Sequence, residues 1–338
     1  MNILIVRLGA LGDLVHAVPA AAALRLAMPD ARIDWLVDAR HRPFLDLVDG
    51  LDRVITLDGR SLTAWADVVR RLRQGAYDVA LDFQGLMKSA VLARASGARR
   101  VAGFSTWHLR EKGARPFYSE TDGEAGDRAG AAPHVIQKNL HLLRVLGVRA
   151  GEVAFPLADV RSDVVTQVGH EPFVLINPGA AWPNKRWSPE RFGEIAAFLE
   201  EIRGLRSLVL WGPGEAGLAS AVVDASKGAA RLAPATAVPD ILALARAASL
   251  FISGDTGPLH LAGAVGTPIV AIFGPTDPLR NGPWAADDVV ISRYGGCECA
   301  YQRECHAAAW CLDDVTVAEV SAAVLQRLGT GAGRARHV

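Results

Sequence analysis

The sequence predicts an α/β protein of two open domains, each built on a parallel sheet. Three observations carry this. Short β-branched runs alternate with longer amphipathic stretches, the signature of βα units. The alternation comes in two series, one before about residue 115 and one after about residue 172. The chain has 338 residues, more than a single hydrophobic core usually spans.

The first series begins with "NILIV" (2–6), a strand that runs into "RLGALGDLVHAVPA" (7–20). The apolar run and Ala-rich segment suggest a signal peptide, but Arg7, Asp13 and His16 interrupt them and the spacing after Leu14 is helical. A folded strand–helix unit is expected. "RIDWLV", "RVITL" and "DVALDF" follow as strands. "SETDGEAGDRAGAAP" (119–133) has no periodicity and reads as a mobile loop, after which "IQKNLHLLRVLGV" (136–148) recovers a helical pattern. The domain boundary is expected near "FPLADVRSD" (155–163). "FVLINPG", "SLVLWG", "SLFISGD" and "PIVAIFG" are the strands of the second series. "TVAEVSAAVLQRLG" (316–329) closes the chain as a helix, and residues 330–338 look frayed.

Lys+Arg and Asp+Glu balance at 36 each, so no global charge argues for nucleic acid or a membrane surface, and any anionic partner must be met by a local patch. The sequence contains no run of about 18 uninterrupted apolar residues, so no transmembrane segment is expected. A cytoplasmic location is expected.

Ligands of open α/β sheets bind beyond the carboxyl ends of the strands, and four stretches there carry chemistry. In the first, Gly9 and Gly12 allow a tight turn and Asp13 stands at the start of the helix. The spacing is not the dinucleotide fingerprint, and the carboxylate would repel a pyrophosphate. Asp13 either caps the helix or serves as a general base. In the second, Ser188 and Pro189 begin a helix whose buried stripe is Phe192, Ile195, Ala196 and Leu199, and Lys185 precedes it as a charge suited to phosphate. In the third, Gly212-Pro213-Gly214 leads to Glu215, which suits either a ribose or the first turn of a helix. In the fourth, a buried strand ends at Asp255, Thr256 and Gly257 turn, and His260 sits in the next helix's first turn. Amides, a hydroxyl and an imidazole there form a metal-free diphosphate cradle.

Together these stretches resemble the lipopolysaccharide heptosyltransferases, glycosyltransferase family 9. The resemblance rests on "ILIVRLGALGDLVHAVPA", "NPGAAWPNKRWSPERF" and "SGDTGPLHLAGAVGTPIVAIFGPTDP". "DFQGLMKSA" (82–90) and "GFSTWHLREKGARPFYS" (103–119) are most similar to the heptosyltransferase I branch. The resemblance implies a GT-B fold, two Rossmann-like domains with parallel sheets facing across a cleft. Residues 1–160 would bind acceptor, 161–315 the donor, with 316–329 a C-terminal helix. It implies inverting transfer from ADP-L-glycero-β-D-manno-heptose to a Kdo residue of Kdo-lipid A in a Gram-negative bacterium, peripheral to the cytoplasmic face of the inner membrane. It makes Asp13 the base, Lys185, Thr256, Gly257 and His260 the phosphate-binding residues, and Glu215 the ribose-binding acid, while Asp255 heads the D-T-G motif. Ala180 and Ala181 stand where the resemblance leads one to expect hydroxyl residues, and Thr236 falls near the adenine site. No catalytic metal is expected.

Residues 94–115 hold six basic residues against one acidic, with Phe104 and Trp107 interleaved, which suits contact with anionic lipid. Arg60, Lys88 and Arg110 are the acceptor-binding candidates. Cys297, Cys299, Cys305 and Cys311 crowd together. Their spacing is not that of paired zinc knuckles, so a structural zinc ranks behind reduced thiols, and disulfides rank last for a cytoplasmic chain. The alternatives are another family 9 transfer, of a later heptose or a different sugar, and a non-catalytic ADP-sugar-binding protein, against which Asp13 argues. A dinucleotide oxidoreductase is disfavoured, because no strand is followed by G-x-G-x-x-G.

Overall fold

The computed structural model describes residues 1–123, 134–149 and 151–329. The chain divides into two compact units, Met1–Ala158 and Asp159–Val338. In the first, β1 (Asn2–Val6), β2 (Arg32–Asp38), β3 (Arg53–Leu57), β4 (Val79–Asp82), β5 (Arg100–Gly103) and β6 (Glu120–Thr121) form one sheet in the order β3-β2-β1-β4-β5-β6. In the second, β7 (Phe173–Asn177), β8 (Arg206–Val209), β9 (Ala230–Leu232), β10 (Leu250–Gly254), β11 (Ile269–Phe273) and β12 (Val289–Ser292) take the order β12-β11-β10-β7-β8-β9. Every pairing within the two sheets is parallel.

Renumbered within its unit, the second sheet has the same order as the first, that of the doubly wound nucleotide-binding fold. The reason is legible in the strands. β1, β4, β7 and β10 are nearly continuous apolar runs because helices cover both of their faces. In each sheet the strand order reverses between two of these, β1 and β4 or β7 and β10. Connections leave to opposite sides there, so the loops beyond those strands part and leave a crevice. Asp13 follows β1 and the D-T-G residues follow β10.

The helix Pro189–Arg203 shows how local signals and packing agree. The Ser188 hydroxyl accepts the Arg191 amide at 3.3 Å, and Phe192, Ile195, Ala196 and Leu199 are all buried. Trp187 packs edge-on against Phe192 at 4.9 Å, and its Nε1 donates to the Val315 carbonyl at 3.0 Å, tying the segment before the last helix, Val317–Gly329, to the core. Burying a side chain such as Phe192 contributes about 1.5–3 kcal/mol.

One expectation changes. Residues 120–121, inside the stretch read as a loop, form β6, and Arg100 grips Glu120 with two bonds of 2.6 Å. The paired ladder and this ion pair supply long-range partners that periodicity does not reveal. Residues 124–133 and the tail 330–338, read as mobile loop and frayed end, lie outside the described residues.

Candidate active site

In the second unit the site gathers around Asp255, just beyond β10. Its Oδ2 accepts from Lys185 Nζ at 2.5 Å, Thr276 Oγ1 at 2.7 Å and Asn281 Nδ2 at 3.1 Å, while Oδ1 accepts from His260 Nε2 at 3.2 Å. Burial alone would raise this carboxyl. The His260 hydrogen bond and the Lys185 charge outweigh burial and hold it well below the ordinary carboxylate range. Lys185 also lies over the Trp182 ring, 4.5 Å from its centre.

Thr256 is the N-cap of the helix Gly257–Ala264. Its hydroxyl accepts from Asn177 Nδ2 at 3.2 Å and lies 3.1 Å from Ser253 Oγ. The positive end of that helix, Lys185 and His260 therefore share one locality, which suits a polyanion. Beyond β8, Glu215 Oε2 accepts the Gly212 amide at 3.0 Å. The carboxylate lies against Gly179 on the loop after β7, where a Cβ would fall 2.3 Å from it. Only glycine leaves that room.

In the first unit Asp13 is the third residue of the helix Leu11–Val15. Its Oδ1 lies 2.7 Å from Arg7 Nη2 and its Oδ2 accepts the Ala10 amide at 3.3 Å. Capping and a carboxylate held at the sheet edge thus coexist in one side chain. Arg7 is 7% exposed, and its Nη1 donates to the Phe83 carbonyl. Gln84 Oε1 accepts the Leu8 amide at 2.7 Å, so the turn after β4 braces the loop after β1. Asp82, fully buried, accepts from Tyr118 Oη at 2.7 Å, Ser89 Oγ at 2.8 Å and the Gln84 and Gly85 amides at 2.8 and 3.2 Å. Burial pushes its carboxyl up against those four bonds. The His41 ring packs on Gly9, whose φ of +144° and lack of Cβ leave space for it.

Residues 65–311 match glycosyltransferase family 9 (heptosyltransferase), and that span exceeds half the chain. The chain belongs to glycosyltransferase family 9. It is 27% identical over 326 residues to lipopolysaccharide heptosyltransferase 1 of Pseudomonas aeruginosa, covering 90% of this chain and 87% of that one. Its fold is similar to that of the family 9 glycosyl transferase from Veillonella parvula, with a TM-score of 0.80, 21% identity and 97% of each chain covered. It is also similar to the Escherichia coli heptosyltransferase WaaC with ADP, with a TM-score of 0.73, 22% identity, and 98% of this chain and 97% of that one covered. Two parallel doubly wound sheets of the GT-B kind and glycosyltransferase activity are therefore properties of this family 9 chain.

The structure brings Lys185, Asp255, Thr256, Gly257 and His260 together and sets Glu215 against the loop that leads to Lys185. Thr236 is half-buried between β9 and the helix Val238–Ala247. Arg60 is exposed just before the helix Leu62–Arg73, Lys88 lies 5.8 Å from the centre of the Trp65 ring in that helix, and Arg110 is exposed after β5. Arg7, Gln84, Thr276 and Asn281 went unassigned. Arg7, Gln84 and Thr276 stand inside the quoted runs "ILIVRLGALGDLVHAVPA", "DFQGLMKSA" and "FGPTDP", whereas Asn281 carries no local pattern that marks it.

The basic stretch 94–115 differs from expectation. Arg100 is neutralised by Glu120, Arg99 lies 3.5 Å from Asp78, and Phe104 is buried, leaving Trp107 as the exposed aromatic of the pair. The cysteines differ too. Cys299 and Cys305 form a disulfide, their Cα atoms 5.3 Å apart, where reduced thiols were favoured. A short loop that returns on itself brings the two within bonding reach, a closeness that the sequence spacing alone does not show. Cys297 and Cys311 remain thiols, Cys311 pushed up to about 12 by burial and by its neighbour Cys297. Among the described residues no group of three or more His, Cys, Asp or Glu is arranged to hold a metal.

Proposed function

We propose that this family 9 glycosyltransferase transfers heptose from ADP-L-glycero-β-D-manno-heptose to a Kdo residue of Kdo-lipid A, with inversion. The observation that carries this reading is the convergence of Lys185, His260 and the helix start at Thr256 around the Asp255 carboxylate. A diphosphate is the ligand whose charge that group complements. The chain's resemblance to heptosyltransferases supplies the sugar and the acceptor.

In this reading residues 161–315 bind the donor and residues 1–160 the acceptor. Lys185, the Thr256 and Gly257 amides and His260 stabilise the negative charge that grows on ADP as its bond to the anomeric carbon breaks. Asp255 orients Lys185 and His260. Glu215 accepts bonds from the ribose hydroxyls, with Thr236 beside the adenine. Arg60, Lys88 and Arg110 meet the acidic acceptor. The acceptor hydroxyl forms the new bond from the face opposite ADP, and its proton passes to Asp13. The chain works peripherally at the cytoplasmic face of the inner membrane.

The test is a panel of ADP- and UDP-sugars with Kdo-lipid A, the products read by mass spectrometry. A single heptose added to Kdo from ADP-heptose is expected. Transfer only to an acceptor that already carries heptose, or of another sugar, would assign a different family 9 reaction.

A further inference from the structure

Three large apolar side chains stand exposed on the first unit beyond the carboxyl ends of consecutive strands. Leu62, after β3, is 89% exposed, Met87, after β4, 40%, and Trp107, after β5, 73%. Single exposed apolar residues are ordinary, but these lie on segments that touch. Lys88, next to Met87, reaches over Trp65 in the helix that Leu62 begins. The Met87 sulfur lies against Gly113, and its amide donates to Glu111 Oε2 at 2.7 Å. Glu111 in turn donates its amide to the Gly85 carbonyl at 3.2 Å, and Leu109, two residues beyond Trp107, covers Gly85.

Met87 is partly covered by Gly113, whereas Leu62 and Trp107 leave most of their surface to solvent. Leu62 is the first residue of its helix, where an acidic or small polar residue serves the dipole better. Around them stand Arg60, Lys88, Arg110 and Lys112, four cations against Asp58 and Glu111, a local net charge of +2, while Asp67 pairs with Arg70 at 3.1 Å. The Lys88 stem is half-buried along Trp65, which leaves its charge at the surface.

We infer that Leu62, Met87 and Trp107 are the anchors by which this unit sits in the interface of an anionic bilayer, with Arg60, Lys88 and Lys112 on its headgroups. Trp and Leu settle at headgroup depth while neighbouring cations meet the anionic surface. Charge complementarity selects the bilayer over a second copy of the chain. A two-fold self-contact would set this cationic patch against itself. The inference rests on the proposed lipid-borne acceptor and names the surface that would reach it.

The test is co-sedimentation of the full chain with phosphatidylethanolamine–phosphatidylglycerol vesicles, compared with phosphatidylcholine vesicles. Wild type is expected to partition to the anionic vesicles and to release with salt. Leu62→Glu and Trp107→Glu are each expected to weaken partitioning by about tenfold or more. Calorimetric ADP affinity and transfer to a deacylated, water-soluble acceptor should stay unchanged, which shows that both units remain folded. Equal partitioning of wild type and variants overturns the inference. So does a wild-type dimer in sedimentation velocity that Leu62→Glu dissociates, which would assign the patch to self-association. Absence of heptose transfer by the wild type would overturn the proposed reaction and leave the vesicle result standing on its own.

Discussion

Arg7 Nη2 lies 2.7 Å from Asp13 Oδ1, and the same guanidinium donates to the Phe83 carbonyl, so one buried side chain ties the loop after β1 to the turn after β4. The carboxylate is thereby fixed at the point where the first sheet changes direction. Among the described residues its other oxygen accepts the long bond from the Ala10 amide.

Asp13→Asn should lower turnover by about 10²–10⁴-fold, the range that general-base assistance supplies. ADP affinity should hold, because Lys185, Asp255 and His260 belong to the other unit. Near-normal turnover in the variant would remove the base role. Arg7→Met removes the charged partner of Asp13 and the donor to the Phe83 carbonyl, and a loss of about 1–2 kcal/mol in urea unfolding is expected, because Arg7 is buried while the Asp13 side chain is 34% exposed and screened by water. The same change in an Asp13→Ala background should cost clearly less, which a double-mutant cycle measures.

Asp255 makes an acid-stability prediction whose sign follows from its lowered folded value. A carboxyl held below its ordinary 3.8 contributes stability that is present above that pH and is lost as pH falls through the folded value. Thermal midpoints of wild type should therefore drop below about pH 4 more steeply than those of Asp255→Asn. At neutral pH the variant should be the less stable, because Lys185 loses its counter-charge. Parallel pH profiles for the two proteins would contradict this.

Gly179→Ala places a methyl group where the Glu215 carboxylate now lies, 2.3 Å from its carbon. Glu215 is the far end of a flexible side chain, so it can swing away at small cost to the fold. ADP affinity should fall by about tenfold, the equivalent of one lost charge-assisted hydrogen bond, with the unfolding midpoint nearly unchanged. Calorimetry with ADP, set against ADP binding by Glu215→Gln, decides whether the two changes act through one carboxylate.

EDTA is expected to leave transfer unchanged, since Lys185 and the helix start are already the cations of the proposed diphosphate site. Dialysis against the chelator followed by a transfer assay with and without added Mg²⁺ or Mn²⁺ checks it. Activity that returns only with the metal would contradict the expectation.

The sequence by itself determined the class of fold and the neighbourhoods of the site. The physical reason is that these depend on local rules. A strand covered on both faces must be apolar throughout, as β1, β7 and β10 are, and the loop that follows needs turn residues and a cap, as at Gly9 and Thr256. Lys185, Asp255 and His260 could be placed together because each follows, or lies in the first turn after, a central strand. What only the tertiary structure decided is partnership. Lys185 and Asp255 are 70 residues apart, and Thr276 and Asn281 reach Asp255 across 21 and 26. Nothing local to Arg100 marks Glu120, 20 residues on, as the carboxylate that neutralises it. The strands β5, β6, β9 and β12 lie at or beside the edge of their sheets, where a strand need not be apolar throughout, and exist because a neighbour supplies their ladder. Local pattern reports what a residue can do, and packing selects which of its possible partners it meets.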